Sequence, residues 1–215
     1  MQLRAGIQML TNIDGLILAA GRSSRMASGN KVQAILAGKT LLQHLIERLS
    51  SQVGCLFING DSKICAEACG NDTDANLYPF ISDLLNDFHG PLTGLYSALI
   101  SDQLSTARYL MIAPCDGPFV PTNLVAELYQ QIVSEDADVA CVRYQGFAQP
   151  TFTLWNKRVL GAVENALLVD KQGGFKSLLQ TLDTVFLDWP EQPLNPFFNI
   201  NSCEDLARAE KALCQ

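Results

Sequence analysis

One loop of the sequence combines small residues with basic ones in a way that suits the binding of anions. Residues 18–26 read Leu-Ala-Ala-Gly-Arg-Ser-Ser-Arg-Met, and the loop continues to Lys31. Small residues let the main chain approach phosphate oxygens, and backbone amides together with Arg22, Arg25 and Lys31 can neutralise a triphosphate. The third glycine of a dinucleotide fingerprint and the Gly-Lys-Ser/Thr of a P-loop are both absent. Considered alone, the loop favours phosphate binding no more than a solvated turn that closes a βα unit.

Two aspartates could add a metal ion or a nucleotide contact to this loop. Asp116 stands in the segment Pro114-Cys-Asp-Gly-Pro118, directly after an apolar run. Mg²⁺ takes few protein oxygens and fills its shell with phosphates and water, so a single carboxylate facing a nucleotide can hold it. We interpret Asp116 as a metal ligand, although capping of the following turn suits such a residue equally well. For Asp83, which precedes the loop at residues 89–94, a cap or a solvated turn acid is the simpler interpretation.

Strands must end where these loops begin, because ligands of a doubly wound sheet bind beyond the carboxyl ends of its strands. Short apolar runs typical of strands buried on both faces occur at residues 15–20, 55–58 and 109–113. Pro79 weakens a further run at residues 77–81 or places it at an edge. Later extended segments are predicted at residues 137–144, 151–155 and 184–188.

Helices with an apolar stripe alternate with these strands. They are predicted at residues 40–49, 91–100, 122–133, 174–182 and 202–213. Thr122 is the predicted N-cap of the third helix, and Ser202 with Asp205 forms a predicted capping box in the last. Such alternation implies right-handed βαβ units, hence a Rossmann-like three-layer α/β sandwich with a mostly parallel sheet. We expect one domain over residues 1–215, with residues 1–13 as a loose extension.

Composition limits the classes of function. The net charge is −7 and only 17% of residues are charged, which argues against a nucleic-acid partner. No apolar run reaches the roughly 18 residues of a membrane span, and the first residues lack the regions of a secretory signal. We therefore expect a cytoplasmic protein without a membrane contact. The seven cysteines are scattered and odd in number, so we interpret them as reduced structural thiols, including Cys65 and Cys69.

Together these segments resemble the molybdenum cofactor guanylyltransferases of the MobA family, within the wider nucleotidyltransferase group. The resemblance covers nearly the whole chain from Gly15 and rests on four motifs. They are residues 18–26 with Lys31, Gly90-Pro-Leu-Thr-Gly94, Pro114-Cys-Asp-Gly-Pro118 and Phe197-Phe-Asn-Ile-Asn201. The first motif is common to many nucleotidyltransferases, whereas the third with the late Asn-x-Asn is more selective for the guanylyl branch. The implied fold is of the nucleotide-diphospho-sugar transferase type.

The resemblance also implies roles for individual residues. GTP contacts are implied for Leu18, Ala19, Ala20, Gly21 and Lys31, and contacts at the base and ribose end for Asn59 and Asp83. Asp116 is implied to bridge the nucleotide and Mg²⁺, and Arg25 to lie near the phosphates, so that the catalytic set is Arg25, Lys31 and Asp116. Asn199 and Asn201 correspond to the family's pair on the pterin side, with a turn-forming role as an even alternative.

The implied reaction moves GMP from GTP to the terminal phosphate of molybdopterin or Mo-molybdopterin and releases pyrophosphate. The implied protein is a monomer, with molybdenum-insertion proteins and molybdoenzyme chaperones as candidate partners. The chain departs from the family pattern at Ala20, Ala27 and Asn30, where the family usually carries Gly, Gly and Asp. A cytidylyltransferase of the same fold and a non-catalytic nucleotide-binding relative therefore remain alternatives. A nicotinamide dehydrogenase is the weakest alternative, because the glycine fingerprint is missing.

Overall fold

The computed structural model describes residues 11–20, 31–70, 78–85, 90–104 and 106–213. Its strands are β1 (Ile13–Leu18), β2 (Ile35–Leu36), β3 (Lys39–Thr40), β4 (Cys55–Asn59), β5 (Phe80–Ile81), β6 (Tyr109–Pro114), β7 (Val139–Tyr144), β8 (Phe147–Asn156) and β9 (Thr184–Trp189). Its α-helices are α1 (Leu41–Leu49), α2 (Ser62–Cys69), α3 (Pro91–Leu99), α4 (Leu124–Ser134), α5 (Leu160–Glu164), α6 (Phe175–Leu179) and α7 (Cys203–Leu213). The strands and helices predicted from the sequence thus lie within a few residues of their expected places.

Seven of the strands form one sheet in the order β5-β4-β1-β6-β8-β7-β9, and β2 pairs with β3 in a small separate ribbon. β1 runs parallel to β4 and β6, β4 parallel to β5, and β7 parallel to β9. β8 is antiparallel to both of its neighbours, β6 and β7. Within this sheet only β8 runs against the others, so the prediction of a mostly parallel sheet is confirmed.

Side chains on both faces of the sheet are buried, which explains why its central strands are almost continuously apolar. Along β1, Ile13 and Ile17 face one core and Leu16 faces the other. Helices α1, α2 and α4 cover the first face, and α3, α5 and α6 cover the second. A third, smaller cluster joins α7 to the β2–β3 ribbon and to Phe119. The result is the predicted three-layer sandwich, with α7 packed beside it.

The N-terminus of α4 differs from the prediction. The helix begins at Leu124, and its N-cap position is Asn123, whose side chain makes no capping hydrogen bond. The side chain of Gln52 caps the helix instead, since its Oε1 accepts a hydrogen bond from the Val125 amide at 3.0 Å. The prediction of Thr122 as the N-cap was therefore wrong. The buried side chain of Gln52, in the 3₁₀ turn Ser50–Gln52, caps the helix instead. Sequence-local rules do not see such a partner.

Other differences concern the ends of the first and last elements and a missed helix. Ile13 is fully buried in β1, so the loose extension expected over residues 1–13 does not include it; residues 1–10 lie outside the described part. Helix α2 was not predicted, although Asp61 caps it through a hydrogen bond from the Ile64 amide. In α7, the capping box is only half formed, because the carboxylate of Asp205 binds the amide of Asn201 and not that of Ser202.

The cysteines in the described residues are free thiols, as predicted. Cys65, Cys69, Cys115 and Cys141 are buried, whereas Cys55 and Cys203 are exposed; Cys214 lies outside the described residues. Burial raises the pKa of Cys65 to about 12 and also raises the pKa of Cys69. These two thiols stay protonated at neutral pH and act as small apolar core groups. None of the helices in the described part has the length and apolar character needed to span a membrane.

Candidate active site at the carboxyl ends of β1, β4 and β6

Three neighbouring strands end at the same level of the sheet, and the predicted site residues follow them. Leu18 at the end of β1 is in register with Asn59 of β4 and with Pro114 of β6. The Ala19 amide donates to the Asn59 carbonyl at 2.7 Å, and the Cys115 amide donates to the Leu18 carbonyl at 3.0 Å. The main-chain ladder thus continues one residue past the strands. The loops that follow β1, β4 and β6, which are far apart in the sequence, therefore meet at the carboxyl edge of the sheet.

Lys31 and Asp116 form an ion pair at this edge. The Nζ of Lys31 lies 2.8 Å from Oδ2 of Asp116, and their side chains are 18% and 13% exposed. Lys31 opens a short 3₁₀ turn over Lys31–Gln33, whose middle residue Val32 is buried in the core. Oδ1 of Asp116 is buried and has no hydrogen-bond partner among the described residues. Since buried acceptors are normally satisfied, this oxygen is placed to accept from a group that the described residues do not supply.

The predicted late asparagines come to the same place. Asn201 accepts a hydrogen bond from Lys31 Nζ through its Oδ1. The amide of the buried Ile200 donates to the main-chain carbonyl of Asp116 at 2.8 Å. Oδ1 of Asn199 is buried and, like Oδ1 of Asp116, has no partner among the described residues. The segment 199–201 therefore lies against the Asp116 loop, although 83 or more residues separate them in the sequence.

A glycine permits this close approach. A Cβ added to Gly117 would lie 2.6 Å from Cζ of Phe152 and 3.4 Å from Oδ1 of Asn199. The first distance is a clash, so no larger residue fits there without movement of Phe152. The Phe152 ring packs edge-on against Phe197, with 5.1 Å between the ring centres. Gly117 thus lets the Asp116 loop, β8 and the C-terminal segment meet.

A second cluster lies at the end of β4. Nδ2 of Asn59 donates to Oδ1 of Asp83 at 2.8 Å and to the carbonyl of Ile81 at 3.0 Å. Asn59 is buried, with 1% of its surface exposed. A Cβ added to Gly94 of α3 would lie 2.4 Å from Oδ1 of Asn59. The predicted pair Asn59 and Asp83 is therefore in contact, and Gly94 packs directly against it.

Some of the predicted site lies outside the described residues. Gly21, Arg22, Arg25, Ala27 and Asn30 belong to this group. Their predicted roles stay predictions. The described residues Leu18, Ala19 and Ala20 enter the same loop from β1, and Lys31 leaves it, so the loop begins and ends at the site.

Sequence reasoning missed four contributors to the site. Gly94 and Gly117 matter for their close contacts, which only the fold reveals, although both stand inside motifs quoted above. Thr93 is fully buried in α3, and its Oγ1 has no partner among the described residues. Asp205 binds the Asn201 amide at 3.0 Å. The predicted capping box was a signal for Asp205, but it pointed to a helix cap rather than to the site.

The donor set suits one kind of metal site. Across the described ranges, no three His, Cys, Asp or Glu side chains lie close enough together to hold a metal ion by themselves. Asp116 with its unpartnered Oδ1 offers a single carboxylate oxygen. Mg²⁺ commonly binds one or two carboxylates and completes its shell with substrate phosphates and water. The residues present therefore fit a magnesium ion that arrives together with a nucleotide.

Comparison with known proteins identifies the family. The family model described as the MobA-like NTP transferase domain matches residues 15–185. A protein of Rhodopseudomonas palustris (strain HaA2) named molybdenum cofactor guanylyltransferase is 35% identical over 91% of this chain and 89% of its own length. One of the same name from Vibrio parahaemolyticus is 33% identical over 92% of this chain and 95% of its own.

Solved structures share the fold. The molybdopterin-guanine dinucleotide biosynthesis protein A of Archaeoglobus fulgidus superposes with a TM-score of 0.75 at 22% identity, covering 94% of this chain and 98% of its own. The 4-diphosphocytidyl-2C-methyl-D-erythritol synthase of Anaerococcus prevotii gives 0.72 at 13% identity, covering 97% and 99%. At such identities the likeness concerns the fold alone. On the strength of the family match and the relatives above 30% identity, the chain belongs to the MobA-like NTP transferase family.

Proposed function

We propose that this enzyme transfers GMP from GTP to the terminal phosphate of molybdopterin or Mo-molybdopterin, releasing pyrophosphate and forming the guanine dinucleotide form of the molybdenum cofactor. The observation that carries the proposal is the pairing of Lys31 with Asp116 beside a buried carboxylate oxygen that has no partner among the described residues. This arrangement lies at the edge where nucleotides bind in open α/β sheets. The relatives named molybdenum cofactor guanylyltransferase support the choice of nucleotide and acceptor.

The nucleotide is proposed to lie across the ends of β1 and β4. The loop entered by Leu18, Ala19 and Ala20 contacts its phosphates through the main chain, with Gly21 and Arg25 assigned to the same loop from the sequence. Asn59 and Asp83 lie at the base and ribose end. Their mutual hydrogen bond at 2.8 Å uses Oδ1 of Asp83, and Oδ2 of Asp83 is the oxygen proposed to accept from donors on the nucleoside.

The chemistry requires no general base. An oxygen of the acceptor's terminal phosphate attacks the α-phosphorus of GTP, and the bond from that phosphorus to the α–β bridging oxygen breaks, so pyrophosphate leaves with the electron pair. A phosphate monoester is mostly dianionic at neutral pH, because its second pKa is near ~6. The enzyme's task is to hold two anions in line and to neutralise the charge that spreads over the transferred group. Lys31 and the loop amides are proposed to do this.

Mg²⁺ is proposed as the cofactor, held by Asp116. When bound, it would neutralise charge on the phosphate oxygens and orient them. Oδ1 of Asp116 is the oxygen that fits this role, since Oδ2 already accepts from Lys31. The ion pair keeps Lys31 close to the carboxylate, so that a phosphate reaching one group also reaches the other.

The acceptor is proposed to approach from the side of the C-terminal segment. Phe197, just before Asn199 and Asn201, packs against Phe152 of β8, and β8 lies on the other side of β6 from β1 and β4. The carboxamides of Asn199 and Asn201 can both donate and accept, which suits a pterin with alternating ring donors and acceptors. Beyond the site, we propose one domain over residues 1–215, a monomer, a cytoplasmic location, and protein partners among molybdenum-insertion proteins and molybdoenzyme chaperones.

Nucleotide choice is the sharpest test of this function. Calorimetry with Mg²⁺ should show tighter binding of GTP than of CTP, and pyrophosphate should be released only when GTP and molybdopterin are both present. Preference for CTP would make the chain a cytidylyltransferase of the same fold. Binding of GTP without pyrophosphate release would identify a non-catalytic nucleotide-binding relative. Either result would overturn the proposed activity.

The metal assignment is tested with Asp116→Ala, against Asp102→Ala as a matched control on an exposed turn. We expect guanylyl transfer to fall by about 100-fold or more, because one group that stabilises transition-state charge is typically worth about that much. Mg²⁺-dependent tightening of GTP binding should also disappear in calorimetry. Undiminished activity or unchanged magnesium dependence would remove Asp116 from the metal site.

A further inference from the structure

The segment that carries Asn199 and Asn201 is held at several points. Phe197 packs into the core against Phe152, Tyr144 and Trp189. The Ile200 amide binds the carbonyl of Asp116 at 2.8 Å. These contacts fix the segment up to residue 200. Asn201 is exposed, and within the segment its Nδ2 makes one long hydrogen bond, to the Asn199 carbonyl at 3.4 Å, which leaves its main-chain amide unbound. The main chain of Asn201 is held by a residue outside the segment.

Asp205 supplies that contact. In a capping box, the acid at the third helical position accepts a hydrogen bond from the amide of the N-cap residue. Here Ser202 Oγ accepts from the Asp205 amide at 3.1 Å, as expected, but Oδ2 of Asp205 accepts from the Asn201 amide at 3.0 Å. The carboxylate therefore binds the amide of the residue before the N-cap, not the amide of the N-cap residue itself. It therefore acts on the site segment rather than on the helix end alone.

The carboxylate of Asp205 is itself held in place. Its other oxygen accepts from Nη2 of Arg208, whose guanidinium carbon lies 5.1 Å from the ring centre of Phe198. Its side chain is only 13% exposed. Burial raises the pKa of Asp205, but hydrogen bonds from the Asn201 amide, Arg208 and Ser202 outweigh burial, so its pKa lies below the usual value. The group is thus charged at neutral pH and bound at both oxygens.

We propose that Asp205 is a positioning residue for the transfer reaction. It holds the main chain of Asn201 so that the carboxamide oxygen of Asn201 accepts from Nζ of Lys31 and keeps that ammonium beside Asp116. The contacts form an unbroken series from Asp205 to Asn201 to Lys31 to Asp116. This inference rests on the proposed function, since it assigns Lys31 to the phosphates.

A helix cap without any effect on the site is the rival interpretation. Glu204 provides the matched control, because it lies in the same first turn of α7 and is exposed. Both acids favour the positive end of the helix dipole, so a purely stabilising role predicts similar effects from Glu204→Ala and Asp205→Ala. A positioning role predicts an effect on catalysis from Asp205→Ala alone.

The first experiment compares steady-state kinetics of three variants that remain folded by circular dichroism. Asp205→Ala should lower kcat/KM for GTP about tenfold, as expected for loss of a hydrogen bond to a charged group. Asp205→Asn should recover activity to within about threefold of wild type, because its amide oxygen can still accept from the Asn201 amide. Glu204→Ala should stay within about twofold. Equal losses in Asp205→Ala and Asp205→Asn would overturn the positioning role.

A double-mutant cycle tests whether the effect passes through Lys31. In a Lys31→Ala background, Asp205→Ala should lower the remaining activity by less than about twofold, since the group that it positions has already gone. An additive loss would show that Asp205 acts by another route and would overturn the inference.

A third measurement does not depend on nucleotide. The Asn201 amide should exchange its hydrogen faster in Asp205→Ala than in wild type or Asp205→Asn, and an unchanged rate would overturn the inference. If wild type makes no GMP transfer, the proposed function is wrong and the role of Asp205 falls with it. If wild type is active and Asp205→Ala equals it, only the positioning role is wrong.

Discussion

Two lysine–aspartate pairs stand at opposite ends of the central strands, and both have an Nζ to Oδ2 distance of 2.8 Å. Lys157 binds Asp14 near the start of β1, whereas Lys31 binds Asp116 just beyond the end of β6. Asp14 is 1% exposed within a strand that is paired on both sides. The Asp116 side chain is 13% exposed in a loop and retains an oxygen without a partner in the described part of the chain. The same pair of groups is structural at one end and available for ligands at the other.

The difference lies in what removal of the lysine would leave behind. Without Lys157, the buried carboxylate of Asp14 would lose one partner of its ion pair, and loss of one partner of a buried pair is strongly destabilising. Without Lys31, Asp116 would still reach water and could bind a cation. The two pairs have the same length, so burial of the acid rather than the ion-pair distance distinguishes a pair that stabilises the fold from one that is accessible to a ligand.

Lys31→Ala should give the largest effect on activity. We expect guanylyl transfer to fall by about a thousandfold, because a preorganised cation at developing charge contributes at the upper end of the usual range. The free energy of unfolding should fall by less than about 1 kcal/mol, as for a partly solvated pair. Initial rates and urea unfolding measure the two quantities. An unchanged rate would remove Lys31 from the phosphate site.

Lys157→Ala should have the opposite pattern, with a large effect on stability and a small effect on activity. We expect the free energy of unfolding to fall by about 3 kcal/mol, since a buried ion pair loses one of its partners. The rate per folded molecule should stay within about twofold of wild type, because the pair lies at the far end of β1. Urea unfolding followed by fluorescence measures the loss. If Lys31→Ala and Lys157→Ala destabilised the protein equally, the distinction between the two pairs would be lost.

The exposed pair of Arg143 on β7 with Asp188 on β9 should give the smallest effect. The hydrogen bond from Arg143 Nε at 2.6 Å lowers the pKa of Asp188. A lowered pKa in the folded state means that the contribution is present above the unfolded pKa, near ~4, and is lost as the pH falls through the folded value. Asp188→Asn should therefore change the denaturation midpoint little at pH 7 and still less near pH 3. A difference that grows on acidification would contradict this assignment.

The central strands were predictable because strands buried on both faces are almost continuously apolar: β1 departs from this only at Asp14 and β4 only at its last residue, Asn59. The candidate site followed from the same logic, since polar residues directly after such strands meet at one edge. Lys31, Asp116 and Asn201, together with Asn59 and Asp83, are in contact as two groups. Their assignment to ligands stays a prediction.

The rest depended on contacts that no local pattern contains. The N-terminus of α4 is capped by Gln52, 73 residues away in the sequence. Asp14 inside β1 looks like a defect in an apolar run until Lys157 is seen beside it. The need for glycine at position 94 in α3 arises from Oδ1 of Asn59 on strand β4. In each case the deciding partner is distant in the sequence, so periodicity and capping rules cannot find it.

The position of Asn199 and Asn201 after the last strand has a consequence for synthesis of the chain. β9 ends at Trp189, so all seven strands of the main sheet precede these residues. Chains emerge from the ribosome N-terminus first and can fold as they emerge. The sheet can therefore be complete while Lys31 and Asp116 still lack Asn201. Competence for the acceptor would arise only after residues 197–201 have emerged, when this segment docks on a framework that is already folded.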